Sequence, residues 1–184
     1  NLQTVSALLR LQSRRSSEEA VKVALAEAER RVQAIATVHA ALSQNVDESV
    51  DFDEVARTIV RMAGAIASTD HGVEVITTGN FGTISADQAQ ALATVLNELV
   101  ANSVEHGLAD RDGRIEVNAQ REGLSMTVTV ADDGVGFVPG TPMTGLGTQI
   151  VQQMVRGELR GSIEWTPREG GGTLVTLLIN LDAA

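Results

Sequence analysis

NELVANSVEH, residues Asn97–His106, is the stretch on which the fold of this chain turns. In a helix Glu98 and Asn102 project from one face, one turn apart, so both can address a single ligand. The amide oxygen of Asn102 suits Mg²⁺, a hard cation that keeps waters and phosphate oxygens in its shell. Read alone, the stretch is equally an ordinary half-polar helix, and its meaning comes from its companions. DDGVGF (Asp132–Phe137), GLGTQIV (Gly145–Val151) and GGGT (Gly170–Thr173) follow it in that order.

Asp132 closes an apolar alternating run, Met126–Ala131, and precedes Gly134 and Gly136. A carboxylate on a pocket floor can accept an exocyclic amine, and glycines let the main chain approach a flat ring with no Cβ in the way. An Asp-Asp-Gly turn or an acidic metal pair fits the same residues. Gly145-Leu146-Gly147 opens an apolar-periodic helix, whose first amides can face phosphates. Neither glycine pair has the third glycine of a dinucleotide fingerprint, which sets a Rossmann reading aside.

The whole composition narrows the chemistry. The chain has 184 residues, 43% of them hydrophobic, a mean hydropathy of +0.04 and no cysteine. No apolar run approaches the roughly 20 residues that span a bilayer, so no membrane contact is expected of this segment and a cytoplasmic setting is the expectation. The net charge of −10 argues against nucleic-acid binding, which needs clustered cations. It is unevenly spread: residues 1–45 hold six Lys and Arg against four acids, residues 46–184 eight against twenty, a balance of −12. Lys22 is the only lysine, so a phosphate loop of the G-x-x-x-x-G-K type is impossible, and any triphosphate must be held by metal, amides, His or Arg.

Periodicity divides the chain near residue 45. Residues 1–15 read as a helix, Ser16-Ser17-Glu18-Glu19 as a break and restart, and Val21, Leu25, Ala28, Val32, Ile35, His39 and Leu42 as a coiled-coil-like seam. Beyond it we expect a helix over 52–67, a strand over 73–77, and a helix ending near His106. Strands over 115–120 and 125–130, a helix over 148–156, and strands over 162–166 and 173–180 follow. Helices and mostly antiparallel strands in this order predict an α+β sandwich, with helices covering one face of a mixed sheet.

The four motifs together resemble the N, G1 and G2 boxes and closing glycine-threonine of the GHKL ATPase superfamily, the Bergerat nucleotide-binding fold. The resemblance covers roughly residues 50–180. It implies ATP and Mg²⁺ as ligands, with Asn102 the Mg²⁺ ligand and Asp132 the adenine selector. Gly134, Gly136, Gly145, Leu146, Gly147 and Thr173 fall in the other nucleotide-binding motifs, and Val138–Thr144 looks like a short lid. Glu98 sits where some members carry a base that polarises the nucleophile. Asp133 falls on a variable position. Many kinases of this group have Lys where this chain has Glu105; His106 can partly replace it by donating to a phosphate, or serve as a cap or packing residue at the helix end.

Residues 1–12 with Ala34–His39 resemble the second type of histidine-kinase dimerisation and phosphoacceptor region. That resemblance implies a helical hairpin over residues 1–45 that pairs two copies, an ATP-binding domain over 46–184, and phosphotransfer to a stalk histidine and then to a response-regulator aspartate. The acceptor histidine is expected just upstream of Asn1, so that this stretch alone would not autophosphorylate. His39, on the seam, reads as a packing residue, and His71 as a turn residue. Composition and stalk are also similar to actinobacterial soluble kinases that signal to RNA-binding antiterminator regulators. Two rivals share the fold: an anti-sigma-factor-type serine kinase, which also has Glu at the Glu98 position, and a non-catalytic ATP-dependent dimerisation switch.

Overall fold

The computed structural model describes residues 2–18, positions 21, 22, 24, 25, 28, 32 and 36, and residues 49–67, 72–108, 111–138 and 145–182. The chain divides into two compact units, Asn1–Gln44 and Asn45–Ala184. In the first, α1 spans Leu2–Arg15 and ends on Arg14 and Arg15, cations at the negative end of the helix dipole. Glu18 donates its N–H to Ser16 Oγ (3.3 Å), and Lys22 donates to the Glu18 carbonyl (3.1 Å), so the expected break and restart are in place. The described positions from 21 to 36 are helical. His39, Leu42 and His71 lie outside the described residues.

The second unit runs β1 (Ser49–Asp51), α2 (Phe52–Ala67), β2 (Val73–Gly79), β3 (Thr83–Ser85) and α3 (Ala86–Asn102), then a π-helix (Ser103–Leu108). It continues with β4 (Gly113–Glu122), β5 (Ser125–Asp132), α4 (Leu146–Gly157), β6 (Ser162–Pro167) and β7 (Thr173–Asn180). Five strands form a mixed sheet in the order β2-β4-β5-β7-β6. β2 and β4 are parallel, which requires the crossover that α3 supplies, and the other neighbours are antiparallel. β1 and β3 make a separate antiparallel pair, with Val50 opposite Ile84. Sequence reading missed both, because three residues are too few to display a period.

Alternation along the strands decides which sheet face is covered. Ile115, Val117 and Ala119 of β4, Met126, Val128 and Val130 of β5, and Val175, Leu177 and Ile179 of β7 are all buried on one face. The opposite face carries Glu74, Arg114, Glu116 and Thr129, none of them buried. α3 lies on the covered face with α2 and α4 packed against it. Flanked in this way it buries more than one stripe, with Leu92, Leu96 and Val100 joined by Ala91, Val95 and Leu99. Ser85 caps its start by accepting the Gln88 N–H (3.4 Å). The buried Gln88 amide donates to Asn180 O (2.9 Å) and accepts from Asp182 N (3.0 Å), clasping that first turn to the end of β7.

The α-helix expected to run to near His106 stops at Asn102 and widens to a π-helix. The Ser103 N–H is shared between the carbonyls of Leu99 and Val100. The wider winding buries Ser103, Val104, Gly107 and Leu108. Such segments recur at functional sites.

Candidate functional site

Asp132, the last residue of β5, is 2% exposed. Two main-chain N–H groups converge on its Oδ1, from Gly134 (3.0 Å) and Thr173 (3.1 Å). Oδ2 accepts no hydrogen bond among the described residues. A buried acceptor without a donor is costly, so Oδ2 is open to a donor that the described residues do not supply.

Asp133 has a different task. Its N–H donates to Arg114 O (3.2 Å), and its Oδ1 accepts from Arg114 N (2.8 Å). The carboxylate thus takes the place of a strand carbonyl and ends the β4–β5 ladder where the chain must turn away.

Close main-chain approach then builds the walls. A Cβ on Gly134 would stand 2.0 Å from the Gly107 carbonyl oxygen, and Val135 donates its N–H to the same oxygen (2.8 Å). A Cβ on Gly107 would lie 3.0 Å from the Asp132 carboxylate. The π-helix therefore delivers a side-chain-free position against the floor of the site. Sequence reading did not single out Gly107, because a glycine ending a helix resembles a C-cap.

Asn102 is the last residue of α3, half-buried, immediately before the π-helix that ends beside Asp132. Glu98, one turn earlier, is also half-buried. His106 is exposed on the π-helix. Gly145 is the N-cap of α4 and makes no side-chain cap bond, leaving the first amides of that helix without a side-chain acceptor from the cap. Gly147 is buried, and the side chain of Leu146 is outside the description. Packing of α4 on α3 sets these two helices side by side. Contacts tie Asp132, Gly134 and Thr173 into one cluster with Gly107, and Gly136 joins it, since a Cβ there would be 2.9 Å from Gly172 O. No trio of His, Asp or Glu suited to a metal occurs among the described residues. A Mg²⁺ ion here fits one amide oxygen supplemented by phosphate oxygens and water.

Comparison with known proteins bears on both units. Residues 1–66 match a family model described as histidine kinase. Residues 87–183 match one described as histidine kinase-, DNA gyrase B-, and HSP90-like ATPase. The sensor histidine kinase PdtaS of Mycolicibacterium smegmatis is 42% identical over 184 residues, covering 97% of this chain and 37% of that protein. PdtaS of Mycobacterium tuberculosis (strain H37Rv) is 41% identical over the same shares. The chain thus spans 37% of the length of these relatives. Among solved structures, the histidine kinase domain of the Erythrobacter litoralis EL346 blue-light activated histidine kinase superposes with a TM-score of 0.70 at 18% identity, covering 98% of this chain and 94% of that one. The catalytic domain of histidine kinase ThkA gives 0.58 at 21% identity, covering 72% and 94%. At these identities the structures speak for the fold. No described helix is long and apolar enough to cross a membrane.

Proposed function

This chain belongs to the sensor histidine kinases, and on that premise we propose that residues 46–184 bind ATP with Mg²⁺ and pass its γ-phosphoryl group to a histidine of the dimerisation region. From there the phosphoryl group goes to an aspartate of a response regulator, in a cytoplasmic homodimer held together by residues 1–45. The observation that carries the reading is the buried Asp132 carboxylate, with Oδ1 held by two amides and Oδ2 left to a ligand.

In this reading Oδ2 accepts the adenine amine, and the bare main chain at Gly134 and Gly136 packs against the base. Asn102 supplies one oxygen to Mg²⁺, which when bound neutralises phosphate charge. The uncapped amides at the start of α4, by Gly145, Leu146 and Gly147, donate to phosphate oxygens, and Thr173 holds the floor through Asp132. His106 is an additional donor, and Glu98 polarises the attacking imidazole. Positioning and charge neutralisation are most of what phosphoryl transfer asks of a protein.

Calorimetric titration of ATP, with and without Mg²⁺, tests the binding half, and absence of binding under both conditions refutes it. For transfer, the full-length protein supplied with γ-labelled ATP should take up acid-labile label, as expected of phosphohistidine. Acid-stable label would point to the serine-kinase reading instead, and nucleotide-dependent association without label to the dimerisation switch.

A further inference from the structure

Thr173 orients the Asp132 carboxylate, yet Thr173 follows a segment with little conformational preference of its own. Gly170, Gly171 and Gly172 have φ of 91°, 110° and 96°, three consecutive glycines in the left-handed half of backbone space. Two main-chain bonds close the turn, Arg168 N–H to Gly172 O (3.0 Å) and Gly171 N–H to Arg168 O (3.1 Å). Both involve Arg168. The β5–β7 register pairs Ala131 with Leu174 as its last partners. At the next step Thr173 N–H goes to the Asp132 side chain, leaving the Asp132 carbonyl outside the ladder. Arg168 Nη1 approaches that carbonyl (3.4 Å), while Nη2 lies 3.6 Å from Glu116 Oε2 on the uncovered sheet face. Arg168 is only 35% exposed there, at the wall of a cleft of about 480 Å³ that Glu116, Arg114 and Asp133 also line.

We propose that Arg168 is a positioning residue for adenine selection: its main chain closes the glycine turn, and its guanidinium, steered by Glu116, pins the Asp132 carbonyl from behind the sheet. Together these hold Thr173 N–H on Oδ1 and so aim Oδ2 at the base. This rests on the reading of Asp132 as the adenine acceptor. Without the guanidinium, the three glycines regain freedom and the carboxylate can rotate. Contact with the base amine then weakens, whereas contacts with the phosphates, made by other elements, do not.

The measurement is the ratio of affinities for ATP and for purine riboside triphosphate, which lacks the exocyclic amine. Both are titrated with Mg²⁺ into the parent, Arg168→Ala, Arg168→Lys and Glu116→Gln. We expect the parent to prefer ATP and Arg168→Ala to lose on the order of five-fold of that preference, the net worth of an ordinary hydrogen bond, since 3.4 Å is longer than a strong charge-assisted one. Arg168→Lys, which can still donate to the carbonyl, should recover part of it. Glu116→Gln should lose a smaller part, and it carries the test if Arg168→Ala does not fold. Equal weakening toward both nucleotides, or ratios in Arg168→Ala and Glu116→Gln matching the parent, overturns the proposal. A parent that does not distinguish the two nucleotides instead refutes the adenine role of Asp132, a separate failure.

Discussion

Thr173 donates its main-chain N–H to Oδ1 of Asp132 across 3.1 Å, joining the first residue of β7 to the last residue of β5 through a side chain. With the Gly134 N–H on the same oxygen, the carboxylate is fixed at one end and free at the other among the described residues. A generic acidic turn has thereby become a directional acceptor.

Asp132→Asn should weaken ATP binding by about ten- to a hundred-fold, with or without Mg²⁺. An Asn can keep an oxygen toward the two amides, but it then presents an NH₂ donor to the donor on the base. Calorimetry under both metal conditions reads this, and unchanged affinity would remove Asp132 from the base site.

Asn102→Ala should act only in the presence of metal. Mg-ATP affinity should fall by at least the roughly ten-fold that even outer-shell partners of a metal cost. Metal-free ATP should bind as it does to the parent. Parental Mg-ATP affinity would mean that the ion is held elsewhere.

Residues 46–184 carry −12 and no lysine, so binding of a triphosphate should depend steeply on Mg²⁺. Glu105→Lys exchanges a negative for a positive charge one turn from Asn102 and should flatten that dependence, strengthening metal-free binding most. A metal dependence identical to the parent's would show that Glu105 lies too far from the phosphates to matter.

Gly134→Ala tests the wall rather than the floor. Its Cβ would fall 2.0 Å from Gly107 O, so main chain must move. Destabilisation of about 1–3 kcal/mol, the usual cost of overpacking, should appear as a Tm lowered by several degrees. An unchanged Tm would mean that the π-helix and the loop after β5 separate without cost.

Two copies should associate through residues 1–45. Leu8 is 58% and Leu11 48% exposed, and Leu25 and Val32 on the seam are only half-buried in a single chain. Light scattering at micromolar concentration should report a dimer, and the double replacement Leu25→Glu, Val32→Glu should yield monomer. A parent that is strictly monomeric would refute this.

Long elements with a clear period were legible in the sequence because the signal is local. α2, with Val55 and Ile59 one turn apart, and β7, with Val175, Leu177 and Ile179 alternating, lie where the apolar spacing puts them. The four motifs sufficed to identify the family, since their glycines and carboxylates have to recur in a set order. Tertiary structure alone decided what depends on segments distant in the chain. The switch from α to π after Asn102 comes where Val104 and Leu108 reach the core. Gly107 against Asp132, Asp133 ending a ladder with its side chain, and Arg168 reaching the Asp132 carbonyl each need two segments brought together by the sheet. Local periodicity carries no record of such pairings, because the main-chain partner in each is a group that every residue offers and leaves no fixed residue type behind it.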